Sequence, residues 1–154
     1  HVVAYDPYVS EPIQDVALTN LDAVMWRSDF VSVHVPNKPE TLGMITAQHV
    51  DSMKPNAFIV NLSDSAIVDQ PALVAALREH QIAGAALDVF DTHPIAPDSP
   101  YLRLDNVILT PHIGGATEET IDRHSKMMAD DILLFLDGER PTNLVNPEVW
   151  HRAQ

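Results

Sequence analysis

Five short runs rich in β-branched and other apolar residues, at 2–5, 29–35, 57–62, 84–90 and 106–109, alternate with segments of helical pattern. The helical segments read at 21–26, 46–53, 69–80 and, after the last run, 117–136. Apolar strands joined through helices pair in parallel and are covered by those helices, so the alternation predicts an α/β domain with a doubly wound parallel sheet. Start and stop signals agree with the boundaries. Asn20, Asp69 and Thr117 are helix-capping types standing before apolar-periodic stretches, Pro71 falls in a first turn, and Gly138 follows the last helix. The loop 91–104 holds three prolines and is the longest irregular connection, a length that commonly carries function. Beyond residue 139 no regular pattern is legible.

Composition narrows the class. The chain has 154 residues, 45% of them hydrophobic, enough for one domain with a sizeable core. No apolar run approaches the length of a membrane span, and residues 1–6 lack the basic and apolar regions of a secretory leader. There is no cysteine, which fits a cytoplasmic protein. A formal charge of −13, from 22 acidic and 9 basic residues, argues against nucleic acid or an anionic membrane as partner. The eight histidines lack zinc-site spacing, and neither a nucleophile-elbow serine motif nor a phosphate-binding P-loop is present. No metal is expected.

In an open parallel sheet, ligands bind outside the carboxyl ends of the strands. Each predicted strand ends in polar residues: Asp6, His34, the group 61–65, Asp88, and Thr110 with His112. Together they point to a binding edge. In Leu109-Thr110-Pro111-His112-Ile113-Gly114-Gly115 a proline stops the strand and two glycines permit a tight turn. His112 is thereby delivered to that edge, where an imidazole exchanges protons near neutral pH. Asp6 ends its strand where a dinucleotide fold places a carboxylate on the adenosine ribose, and such a carboxylate selects NAD over NADP by repelling a 2′-phosphate. The glycine-rich G-x-G-x-x-G run that accompanies such an aspartate is nowhere among the five glycines. Asp130-Asp131 reads as a solvated helix face, and Met127-Met128 with Leu133-Leu134 as core or a helix contact.

At this point the chain resembles the D-isomer-specific 2-hydroxyacid dehydrogenases. The resemblance rests on Ala4-Tyr5-Asp6-Pro7, the run 28–36, Pro39-Glu40-Thr41-Leu42-Gly43-Met44-Ile45, Met53-Lys54-Pro55, Val68-Asp69, 72–77, 82–90 and 106–117, in the family's order and spacing. It implies a Rossmann-type NAD-binding domain lacking its first strand and glycine-rich loop. Residues 1–134 would be that partial domain, and 135–154 a return segment to the substrate-binding domain. It further implies NAD as cofactor, with ribose contact by Asp6 and other contacts by Leu62, Ser63 and Asp64. Asp88 would lie near the nicotinamide, with the loop carrying His112, Gly114 and Gly115 closing over it. His112 matches the family's general acid, which protonates a keto oxygen as hydride arrives.

Two positions depart from the pattern. Asp64 stands where the family has the arginine that holds the substrate carboxylate, and His93 where it has the glutamate that bonds the acid histidine. At about 4 Å and an effective dielectric near 20, exchanging attraction for repulsion shifts carboxylate binding by up to about 8 kcal/mol before relaxation. The three catalytic positions in this chain are therefore His112, Asp64 and His93. Two readings follow: an oxidoreductase acting on a 2-hydroxy or 2-keto acid, or a catalytically silent or repurposed NAD-binding module. A homodimer is implied, with Leu133, Leu134 and Phe135 as contact surface. Sheet order 3-2-1-4-5-6 places an absent first strand between the runs 2–5 and 57–62, so the chain is expected to be a segment of a longer protein with a gap of about 10 Å in its sheet.

Overall fold

The computed structural model describes residues 1–11 and 14–152. Two compact units are present, His1–His112 and Ile113–Gln154.

Among the described residues the first unit holds six strands and three α-helices. Strands β1 (Val2–Ala4) and β2 (Val16–Leu18) pair in parallel as a small sheet of their own. Strands β3 (Phe30–Val33), β4 (Phe58–Asn61), β5 (Gly84–Leu87) and β6 (Val107–Leu109) form a second parallel sheet in that order. Helix α1 (Leu21–Arg27) starts at Asn20, whose side chain accepts the Ala23 N–H at 2.8 Å. Helix α2 (Ala47–Asp51) starts at Thr46, where Thr46 and His49 cap each other reciprocally. Helix α3 (Gln70–Arg78) starts at Asp69, which accepts the Ala72 N–H, with Pro71 in the first turn. Each cap satisfies a backbone donor that the helix leaves unpaired, as the sequence predicts for α1 and α3.

The core lies between this sheet and the helices. Met25 of α1, Val50 of α2, and Leu73 and Leu77 of α3 close over Val31, Val33, Ile59, Ala85 and Leu87. Burial on β3 alternates, so Phe30 and Ser32 face outward while Val31 and Val33 face the core. The exposed Phe30 and Phe58 rings stack at 5.3 Å on neighbouring strands. Gly84 is required where β5 begins: a Cβ there would stand 2.6 Å from the Asn106 carbonyl oxygen and 3.0 Å from the Phe58 ring.

The break in the sheet is present, but displaced from its expected place. Residues 16–18 are a strand that the sequence reading missed, because three residues after the turn at Asp15 (φ +61°) give no periodicity. Counting β2 moves β3 inward, so the open edge faced by β1 belongs to β3 and not to β4. Between them runs an apolar groove of about 480 Å³, lined by Val2, Ala4, Leu18, Val31 and Val33 among others.

The second unit contains helix α4 (Glu118–Leu136), capped by Thr117, and a short 3-10 segment at Pro147–Arg152 in the tail that the sequence left irregular. Gly138 adopts φ +76° at the end of α4, a left-handed conformation that costs glycine nothing. No residue of α4 is buried, so Met127, Met128 and Leu133 are not core. Asp131 is more than a solvated charge: its carboxylate accepts the N–H groups of Thr142 (2.7 Å) and Asn143, fastening the tail to the helix. Burial raises its carboxyl, but the Asn143 side chain and these two backbone donors together hold it below the ordinary carboxylate range.

Candidate active site at the carboxyl ends of the strands

Parallel pairing of β3, β4, β5 and β6 brings their four carboxyl ends to one edge. The connections leaving that edge are hydrogen-bonded to one another. After β4, the buried Asn61 turns the chain by donating to the Asp64 carbonyl at 2.9 Å and accepting the Ser63 N–H at 3.0 Å. The Ser63 hydroxyl donates to the Val35 carbonyl, and the Asn37 amide donates to Asp64 Oδ2 at 2.8 Å, which together join the β3 and β4 loops. Ser65 and Gln70 both donate to Asp91 Oδ1, joining the β4 and β5 loops. Thr110 donates its hydroxyl to Asp88 Oδ1, joining β5 to β6.

Asp88 is 3% exposed and receives this hydroxyl where β5 ends, while its own N–H bonds the Asn61 carbonyl. A buried carboxylate is tolerated only with such partners. Asp64 caps the 3-10 turn Ser65–Ile67 through the Ala66 N–H at 2.9 Å. That backbone donor, with the Asn37 amide second, holds the Asp64 carboxyl below the usual carboxylate range, so it is an anion at neutral pH. Leu62 is exposed at the same turn.

His112 stands three residues beyond β6 with φ +58°, a left-handed backbone that is uncommon outside glycine and collects at functional positions. Its Nδ1 lies 3.2 Å from His93 Nε2, and the two rings are 4.9 Å apart between centroids. The Phe90 ring is 6.1 Å from that of His93. Beside the pair is a pocket of about 380 Å³ walled by Phe90, Ile95, Leu102, Leu109 and Pro111. Across the edge, His34 Nε2 bonds the Ser32 hydroxyl at 2.7 Å. Asp6 follows β1, accepts the Tyr8 N–H at 2.8 Å, and lines the 480 Å³ groove together with His34. Gly114 and Gly115 belong to the second unit, at the centre of a turn closed by the Ala116 N–H on the Ile113 carbonyl.

The structure thus joins His112 to His93 directly, and Asp64 to its neighbours through backbone and amide donors. Three partners were not singled out from sequence: Asn37, Gln70 and Asp91. Asn37 lies in a Pro-Asn-Lys-Pro stretch that reads as a turn, and Asp91 in a proline-rich loop; their roles come from residues 21–27 positions away. Among the described residues no group of three or more His, Asp or Glu is placed to hold a metal ion.

Comparison with known proteins identifies the family and the fold. Residues 1–114 match the family described as "D-isomer specific 2-hydroxyacid dehydrogenase, NAD binding domain". A glyoxylate reductase of Korarchaeum cryptofilum is 49% identical over 129 residues, which are 84% of this chain and 39% of that protein. A D-3-phosphoglycerate dehydrogenase of Archaeoglobus fulgidus is 39% identical over 149 residues, 95% of this chain and 28% of that protein. The chain therefore spans well under half the length of these relatives. Among solved structures, D-lactate dehydrogenase with NAD+ from Lactobacillus jensenii superposes with a TM-score of 0.83 at 26% identity, over 94% of this chain and 48% of that one. The chain belongs to the D-isomer-specific 2-hydroxyacid dehydrogenase family, through its NAD-binding domain.

Proposed function

We propose that the protein is an NAD(H)-dependent oxidoreductase that interconverts a 2-hydroxy and a 2-keto acid, with His112 as general acid and base. The observation that carries this reading is His112 itself. It is held on a left-handed backbone beyond the carboxyl end of a parallel strand, with its Nδ1 3.2 Å from His93 Nε2. Positioned acid–base catalysis of this kind is worth about 10²–10⁴-fold.

The residues present fit the two ends of a dinucleotide. Asp6 offers a carboxylate to the adenosine ribose, which favours NAD over NADP, and Leu62, Ser63, Asp64, Asp88, Gly114 and Gly115 supply the remaining contacts. No glycine-rich cradle for a pyrophosphate exists in this sequence. When bound, the nicotinamide supplies or accepts the hydride. The chain's own part is to hold the acidic proton at His112 and to orient the substrate. Residues 1–134 form part of the NAD-binding domain and 135–154 lead back to a substrate-binding domain. Two copies associate through Leu133, Leu134 and Phe135, which are exposed or half-buried. The protein works in the cytoplasm; no helix among the described residues is long and apolar enough to cross a membrane.

A second reading is an NAD-binding module without this turnover, and one observation favours it: Asp64 is held as an anion, where the family resemblance expects the cation that binds a substrate carboxylate. One experiment separates the two. NADH binding is measured by fluorescence, and NADH oxidation is followed with glyoxylate, hydroxypyruvate and neutral hydroxyketones. Oxidation with any of them supports the enzyme; binding with none supports the module. In the same assay Asp64→Arg combined with His93→Glu raises the rate on glyoxylate by orders of magnitude. A folded double variant with no gain removes Asp64 as the obstacle.

A further inference from the structure

The contact between His93 and His112 constrains how many protons the site can hold. Between two imidazoles facing each other at 3.2 Å, one nitrogen must donate and the other accept. If both rings were fully protonated, two N–H groups and two positive charges would face each other and the contact would open. The contact therefore persists with two or three ring hydrogens on the four nitrogens, and not with four. Among the described residues the adjoining pocket is walled by Phe90, Ile95, Leu102 and Leu109, and no ionisable side chain besides His93 lines it. Of the carboxylates on the same connections, Asp88 accepts from Thr110, and Asp91 from Ser65 and Gln70.

Resting on the function proposed above, we infer that the acid is the histidine pair, with His93 a positioning residue that shares a single proton with His112. In the charged pair three hydrogens sit on four nitrogens. During reduction, hydride from the reduced nicotinamide adds to the carbonyl carbon and the C=O π electrons move to oxygen. The His112 Nε2–H passes its proton to that oxygen. The facing hydrogen settles on His112 Nδ1 and bonds His93 Nε2, His93 keeps its Nδ1–H, and the pair is left neutral. A proton from solvent restores the charge. Turnover is then lost on the alkaline side, when the pair gives up its one extra proton. It is lost again on the acid side, when a second extra proton opens the contact.

The test uses the protein expressed from its complete reading frame, as wild type, His93→Gln and His93→Phe. The kcat is measured against pH, and the imidazole nitrogens are followed by NMR over the same range. In wild type, kcat has both limbs, and the His93 and His112 signals move together in two steps. In His93→Gln the amide oxygen still accepts from His112 Nδ1, so kcat falls less than in a variant that cannot bond. There the acid limb disappears, and His112 moves in one step. His93→Phe, unable to bond, lowers kcat about 10²-fold with NADH affinity unchanged. An acid limb that survives in His93→Gln, or rings that titrate independently in wild type, overturns the pair. Coupled rings without turnover on any 2-keto acid leave the shared proton standing and overturn the proposed function instead.

Discussion

Val2, at the start of β1, is 58% exposed, whereas Ile59, within β4, is fully buried, although both are β-branched residues of short parallel strands. The strands differ in their neighbours. β4 is flanked by β3 and β5, and the residues of α1, α2 and α3 close over it. β1 has β2 on one side and the groove on the other. Strand propensity is thus common to both sheets, and only the number of packed neighbours separates them. The hydrogen-bonded loops and the His93–His112 contact all lie at the edge of the four-stranded sheet, while Asp6 follows the smaller sheet.

Matched truncations break or confirm this contrast most directly. Ile59→Ala is expected to lower unfolding free energy by about 2–5 kcal/mol, because it leaves a cavity in a closed core. Val2→Ala is expected to stay within about 0.5 kcal/mol. Equal losses in urea denaturation would mean that the two sheets are packed alike.

A pH effect sharpens the same contrast. Burial, with the Asp91 charge second, pushes the Tyr101 phenol up to about 12 from its ordinary 10.0. The folded protein therefore keeps this proton where the unfolded chain releases it. Its stabilising contribution is whole below pH 10 and is lost as pH rises from 10 to 12, with a slope approaching about 1.4 kcal/mol per pH unit. Tyr101→Phe is expected to remove that slope, measured as unfolding free energy against pH.

The smallest effects are expected where the two halves do not differ. Asp69→Ala and Asn20→Ala each remove a side chain that accepts a backbone N–H three residues ahead, on α3 beside the larger sheet and on α1, which follows β2. Each is expected to cost about 1 kcal/mol in thermal or urea unfolding. Unequal costs would show that cap strength depends on the surrounding packing.

Much of the fold was legible because its signals are local. Caps at Asn20, Asp69 and Thr117 work across three residues, and each was readable from residue type and spacing. The order of β4 to β6 was legible from apolar runs alternating with helices, whereas the run 29–35 was expected beside 2–5 and pairs with β4 instead. β2 was not legible, since three residues carry no period, and missing it shifted the open edge from β3 to β4 by one strand. On the site, His112 was readable from the proline and glycines around it. The buried role of Asn61 and the engagement of Asp64 by Asn37 were not, because the partners approach from other connections.

The sequence by itself determined which residues end the strands, where three of the helices begin, and the family whose motifs run through residues 4–117. Tertiary structure alone decided which of those ends meet. His93 reaches His112 across 19 residues, Ser65 reaches Asp91 across 26, and Thr110 reaches Asp88 across 22. A cap is a contact between near neighbours and is written in their spacing. A contact across twenty residues exists only after parallel pairing has brought the strand ends together, and that pairing depends on the whole core.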